Sequence, residues 1–222
     1  MDKYEFNLKI EQIKRLVGEG DYVTAAKIAD TLNVAKIKRL EILQCVADAY
    51  ENVEEYEKAK DILEMIESKA GANRHRLYKL CILSVKLKDL EDAKIYYKEY
   101  NQMASDSSSK YLLQYEIAEA CEANNSDKIK IIEKYINIKF DDEWIYKLIT
   151  LYHKEKMGAK VVDLTDKLFL FYGPGEYTDK ALEIKRLYTK LTPEQQVAYE
   201  ETHKLDSRIA PDAKLKYVHT GE

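Results

Sequence analysis

The chain has 222 residues, 45% of them hydrophobic, a proportion that suits a folded protein and argues against wholesale disorder. Only 7 Gly and 3 Pro occur, too few turn residues for strands and hairpins, so helices are expected throughout. Acidic residues number 40 and basic residues 36, and this near-balance of net charge −4 lacks the broad positive field that a phosphate backbone requires.

The N-terminal stretch "MDKYEFNLKIEQIKR" alternates charged with apolar residues and has no apolar signal core. No apolar run approaches the ~18 residues that span a bilayer, the longest clear one being Leu168 to Tyr172. A cytoplasmic protein without membrane association is expected. From Gly20 the chain reads "GDYVTAAKIA", and similar phrases follow as "EYEKAKDIL" from Glu55 and "DLEDAKIYY" from Asp89. Tyr22 and Ala25 recur as Tyr56 and Ala59, then as Leu90 and Ala93, at intervals of 34. A second series, Leu43, Leu77, Tyr111, Trp144 and Tyr177, steps by 34, 34, 33 and 33. A fixed period of this size marks stacked supersecondary units.

Each unit reads as two helices. Leu43, Val46, Ala47 and Tyr50 follow helical spacing, as do Ile62, Leu63 and Ile66 after the polar turn "ENVEEYE". In the next unit Leu77, Leu80 and Cys81 are answered by Leu90, Ala93, Tyr97 and Tyr100. Alanine at 25, 59 and 93 is expected where two antiparallel helices approach too closely for a larger side chain.

These positions resemble the tetratricopeptide repeat, a 34-residue helix–turn–helix unit. Leu43, Val46, Ala47, Tyr50, Tyr56, Ala59 and Leu63 match its signature in order, and Leu77, Leu80, Cys81, Ser84, Leu90, Ala93 and Tyr97 match it again. The first unit keeps Leu16, Tyr22 and Ala25 but has Lys9 and Ile13 where an aromatic and a small residue are usual, as a terminal repeat facing water would. The usual closing Pro is replaced by Ile37, Gly71 and Ser105. Trp144 fits the leading aromatic of a fifth unit, whereas the small residue of the second helix is lost at Asp127 and at Lys160, or falls on Val161. The whole chain is also similar to tetratricopeptide-like proteins of Gram-positive anaerobes. The resemblance implies an all-α fold, a right-handed α-solenoid of antiparallel helix pairs with about eleven or twelve helices. One repeat domain is expected over 1–204, with clear repeats at 3–104 and degenerate repeats and capping helices at 105–204. An extended or disordered tail is expected at 205–222.

The remaining punctuation agrees. "ASDSSSK" (104–110) can cap a helix, "NNSDK" (124–128) reads as a tight turn, and Asp141 or Asp142 can serve as an N-cap. Gly173 can end a helix and Thr178 begin the next. In "LTPEQQ", Thr192, Pro193 and Gln195 form a helix start signal.

No Walker loop, dinucleotide glycine pattern, HExxH or nucleophile elbow occurs, and "GPG" at 173–175 lacks the Lys-Ser/Thr of a phosphate cradle. Cys45, Cys81 and Cys121 form no CxxC pair and read as free, partly buried thiols. The four histidines (75, 153, 203 and 219) cluster neither together nor with the cysteines, so no metal site, cofactor or catalytic residue is expected. The basic stretches "KIKR" (36–39) and "RHRLYK" (74–79) read as solvated faces rather than nucleic-acid contacts. Tyrosine is in excess, 18 of 222 residues, and its helical spacings suit packing between helices, with some rings left to line a groove.

In tetratricopeptide proteins the first helices form a concave groove that receives an extended peptide or a partner's helix. Carrying those positions over gives Asn7, Ile10, Lys14 and Val17, then Glu41, Gln44, Asp48 and Glu51, then His75, Tyr78, Ile82 and Val85. The fifth unit contributes Asp142, Ile145, Ile149 and Tyr152. The face turns from mixed to acidic to apolar, which fits a ligand with a basic segment followed by an apolar one. Lys14 and Lys79 alone cannot form the family's carboxylate clamp. The resemblance thus implies a non-catalytic scaffold that binds a protein or peptide. Two alternatives stay open: a peptide-sensing regulatory module, against which stands an array starting by residue 6, and a structural protein that assembles with its own copies.

Overall fold

The computed structural model describes residues 2–202, so the tail expected at 205–222 lies outside the described residues. Among the described residues every regular element is helical. The described residues form two compact units that divide between Ala123 and Asn124. The first holds α1 (Lys3–Gly18), α2 (Tyr22–Asp30), a 3-10 turn (Val34–Lys36), α3 (Leu40–Asn52), α4 (Tyr56–Ala70), α5 (Arg74–Lys86), α6 (Leu90–Met103) and α7 (Ser109–Ala120). Here α1 packs on α2, α3 on α4 and α5 on α6, and α1 also lies against α3. The second unit holds α8 (Asn125–Ile136), α9 (Asp142–Lys154), α10 (Gly158–Tyr172) and α11 (Glu176–Lys185). A further helix, α12, runs from 193 to 202.

The period is clearest in the backbone that ends α1, α3, α5, α7 and α9. Gly20, Glu54, Lys88, Glu122 and Lys156 lie in the left-handed region, with φ of 80°, 63°, 61°, 53° and 56°. Each is 34 residues from the next. The following amide reaches five carbonyls back in every case: Asp21 to Leu16, Glu55 to Tyr50, Asp89 to Ser84, Ala123 to Ala118 and Met157 to Tyr152, all at 2.8–2.9 Å. The left-handed residue's own amide donates three residues back, completing a Schellman motif that satisfies carbonyls the helix end would leave open. At four of these turns the next residue (Asp21, Glu55, Asp89 or Met157) is also the N-cap of the following helix, so two residues end one helix and start another. The Asp21 and Asp89 carboxylates accept from the amides of Thr24 at 3.0 Å and Asp92 at 3.1 Å.

The expected alanines are where the helices meet. Ala25, Ala59 and Ala93 are each fully buried, the first two beside buried Leu43, Val46, Leu63 and Leu80 in one layer and the third beside Leu77 and Cys81 in the next. The fifth unit keeps the same pattern in a different register from the one expected. Ile145, Leu148, Ile149, Tyr152 and Val161 are all buried, at strict multiples of 34 from Leu43, Val46, Ala47, Tyr50 and Ala59. Trp144, read from sequence as the leading core aromatic, is only partly buried. It meets Tyr135 edge-on at 5.5 Å, with the Lys147 ammonium 4.3 Å above its ring. The 33-residue steps followed the largest side chain, and packing follows the backbone.

Gly173, at φ 70°, ends α10 as expected. Helix α11 starts at Glu176, and Thr178, expected at its start, lies buried inside its first turn. At 192–195 the expected start signal is a full capping box: the Gln195 amide donates to Thr192 Oγ1 at 3.3 Å, and the Thr192 amide to Gln195 Oε1 at 3.2 Å. The same Gln195 side chain accepts from Lys185 Nζ at 2.8 Å and donates to Asp166 Oδ1 at 2.6 Å, while Lys185 also pairs with Asp166. This network, with Lys185 and Gln195 buried and Asp166 partly exposed, fastens α12 to α10 and α11.

Candidate functional site

The candidate residues rise from three successive first helices of the first unit. Asn7 and Lys14 stand on α1, Gln44, Asp48 and Glu51 on α3, and His75, Tyr78 and Ile82 on α5, all exposed or half-buried. Their neighbours Leu43, Val46, Leu77 and Leu80 on the same helices are fully buried, so each helix presents one face to the core and the candidate face outward. Tyr152 is a correction. It lies on α9 in the second unit, 6% exposed, and its hydroxyl donates to Glu133 on α8 at 2.7 Å. Tyr50, 4% exposed, does the same with Asp30 on α2 at 2.9 Å. Tyr152 is therefore a packing tyrosine, assigned to the groove by the one-residue slip in register. Strict 34-residue spacing from His75, Tyr78 and Ile82 reaches Glu143, Tyr146 and Thr150 instead.

The expected acidic stretch is paired from within. Lys79 on α5 reaches back to α3, placing Nζ 2.8 Å from Asp48 Oδ1 and 2.7 Å from Glu51 Oε2. Gln44 Nε2 donates to Asp48 Oδ1 at 2.9 Å. Partial burial pulls Lys79 down, and its hydrogen bonds to the two carboxylates outweigh this, holding the ammonium above its ordinary value. Glu41 is met by Lys14 at 3.3 Å and Arg39 at 3.8 Å, and Arg39 lies 2.6 Å from Glu11. That hydrogen bond holds the Glu11 carboxyl below its usual range. A basic ligand segment would find these carboxylates already matched.

Asp48, Glu51 and Lys79 open into a cleft of about 500 Å³ walled by Val17, Tyr22, Tyr56 and Lys86. The Lys86 ammonium sits 4.4 Å above the centre of the Tyr56 ring. Beyond it the face turns apolar: Tyr78 meets Tyr100 edge-on at 5.9 Å, and Ile82 and Val85 pack against the layer of Leu77, Cys81 and Ala93. His75 and Asn7 lie outside this cleft. Lys79, Arg39 and Lys86 are the site residues that sequence reasoning did not assign. A signal for them exists, because partners on equivalent helices of adjacent pairs fall 27–32 residues apart, as Lys14–Glu41, Glu11–Arg39 and Asp48–Lys79 do.

Other chemistry is sparse. Among the described residues no group of three His, Cys, Asp or Glu could hold a metal ion, and no helix is long and apolar enough to cross a membrane. Cys45 is half-buried, Cys81 buried and Cys121 exposed, all as free thiols. Burial pushes the Cys81 thiol up to about 12.

With this geometry in hand, solved structures supply the comparison. The chain superposes on a tetratricopeptide repeat protein from Parabacteroides merdae with a TM-score of 0.61 and 14% identity, over 90% of this chain and 84% of that one. It matches the C-terminal part of a tetratricopeptide repeat-containing protein from Cytophaga hutchinsonii at 0.65 and 18% identity, over 90% and 80%. The fold is that of tetratricopeptide repeat proteins. It extends to YrrB, described as a tetratricopeptide protein with an unusual peptide-binding site, at 0.55 and 15% identity over 80% and 90%. No protein-family model matches the chain, and no curated protein does. Identities this low carry the tetratricopeptide fold alone, and the ligand must be argued from this chain's own residues.

Proposed function

We propose that the protein is a non-catalytic interaction scaffold whose outward face on α1, α3 and α5 receives a peptide or a partner's helix. The observation that carries this is a face whose carboxylates are already paired beside an apolar stretch of Tyr78, Ile82 and Val85 that stays partly exposed. A paired polar rim beside an apolar anchor region is how binding faces gain affinity without unsatisfied charge. The tetratricopeptide fold and the peptide site of YrrB agree with this reading. It is tested by capture from lysate of the source organism, comparing the parent protein with His75→Glu/Tyr78→Ala. A partner retained only by the parent supports the face; identical partners on both move binding elsewhere.

A second reading, self-association, has its own observation. Leu170, Phe171 and Tyr172 at the end of α10 are 87%, 69% and 41% exposed, and Phe140 lies against the last two. The rings of Phe140, Phe171 and Tyr172 lie 5.0–6.1 Å apart, Phe140 stacked on Tyr172 and edge-on to Phe171, leaving an apolar patch on the second unit. A concentration-dependent mass by analytical ultracentrifugation that Phe171→Ser abolishes would favour it.

A further inference from the structure

The two basic stretches of the chain meet different fates. In "RHRLYK", Arg76 is spent on Glu67 at 2.8 Å and on the Gly71 carbonyl at 2.6 Å, and Lys79 on Asp48 and Glu51. In "KIKR" only Arg39 is engaged. Lys36 and Lys38 are exposed, and among the described residues no carboxylate pairs with either. Both line a cleft of about 1000 Å³ between the start of α1 and the linker 31–39, and Lys3, also unpaired, lines it from the other side.

Four cations and two carboxylates line this cleft, and the carboxylates are committed. Asp2 caps α1 by accepting from the Glu5 amide at 2.7 Å, and Glu11 is bound by Arg39. The floor is apolar: Ile10 and Ile37 are buried and Phe6 is half-buried on the core. Two amides, Asn7 and Asn33, face the same space, and Asn33 stands at the N-cap of the 3-10 turn without bonding it.

We propose that this cleft binds an acidic peptide segment that carries an apolar side chain. The unpaired lysines meet its carboxylates, the apolar floor takes the side chain, and the amides offer a donor and an acceptor to an extended peptide backbone. The volume suits a segment of several residues rather than a single ion. A nucleic-acid strand fits less well, because two carboxylates interrupt the basic wall and the whole chain is net negative. This cleft shares Asn7 with the face on α1, α3 and α5 and is otherwise separate from it, and its acidic ligand reverses the basic one that the sequence pattern suggests.

The test is fluorescence anisotropy at low salt with a short labelled peptide of alternating Glu and Leu. Comparison probes are a Lys-Leu peptide, an all-Glu peptide and a single-stranded oligothymidylate of similar length. The Glu-Leu peptide is expected to bind at least about tenfold more tightly than each of the others, and to weaken as salt rises. Lys36→Glu/Lys38→Glu is expected to weaken it at least about tenfold with unchanged helicity, since neither side chain has an internal partner to lose. His75→Glu/Tyr78→Ala is expected to leave it unchanged, which separates this cleft from the face proposed above. Absence of saturable binding, equal binding by the Lys36/Lys38 variant, sensitivity to the Tyr78 variant alone, or tighter binding of the oligothymidylate would each overturn the proposal.

Discussion

Replacing Lys88 by glycine should stabilise this protein, although glycine inside a helix usually costs stability. Lys88 ends α5 with φ 61°, its amide bonded to Val85 and the next amide to Ser84. A residue with a Cβ pays about 1–2 kcal/mol in this region, and glycine does not. Against that stands about 0.4–1 kcal/mol of extra unfolded-state entropy that glycine must lose. The expected net gain for Lys88→Gly is about 0.5 kcal/mol. The same turn holds Glu54, Glu122 and Lys156, and their turn hydrogen bonds share no atoms with those of Lys88. The fourfold glycine variant should therefore gain about 2 kcal/mol by additivity. Gly20→Ala should lose about 0.5 kcal/mol by the same balance with its sign reversed, because an added Cβ there meets nothing within 4 Å and brings no clash. Urea unfolding reads all three, as shifts in midpoint at constant slope. Destabilisation of about 1 kcal/mol by Lys88→Gly, as for glycine inside a helix, would refute the left-handed turn and with it the 34-residue backbone period.

Ala59→Leu should cost about 1–3 kcal/mol by forcing α3 and α4 apart, and a melting temperature equal to or above the parent's would count against that packing. Lys79→Met removes the cation between Asp48 and Glu51 and should cost about 1 kcal/mol near neutral pH, a small value because all three side chains keep some solvent contact. Since the folded state raises the Lys79 pKa, its contribution is fully present below about pH 10.5 and is lost as pH rises through the raised value. The gap between parent and variant in urea titrations should thus hold from pH 6 to about pH 10 and close only above about pH 10.5; a gap that widens with alkali would contradict the pairing. With a thiol reagent under native conditions, Cys121 should react first, Cys45 more slowly, and Cys81 only as fast as the protein opens. Rapid labelling of Cys81 would show the α5–α6 layer to be loose.

Much of this fold is legible in the sequence because small residues at 25, 59 and 93 have no other reason to recur, and each proves fully buried at a helix crossing. The register after residue 104 is less legible. Trp144 and Tyr177 draw the eye by size, yet a core position is set by the backbone period, and that period runs through Lys156 to Ile145 and Val161. Four of the five turns carry Glu or Lys where glycine would announce them, so residue type hides a turn that geometry repeats. The candidate face inherits this pattern: its eight residues on α1, α3 and α5 are exposed or half-buried, whereas Ile10, Ile145, Ile149 and Tyr152, carried over with them, lie buried. The charge of the face is harder to read, because Lys79 neutralises carboxylates 28 and 31 residues away. That partnership is visible only once the period is known.

The central claim, that the face on α1, α3 and α5 is the binding surface, is tested most directly by site-specific photo-crosslinking in the source cells. A photoreactive phenylalanine analogue is placed in turn at Lys14, Gln44 and Tyr78, and at the exposed control positions Glu57 and Lys94 on the second helices. Adducts to one partner from the first three positions and none from the controls is the expected result. Adducts from Glu57 and Lys94 with none from the face would contradict the account and place the interaction on the opposite side of the helix pairs.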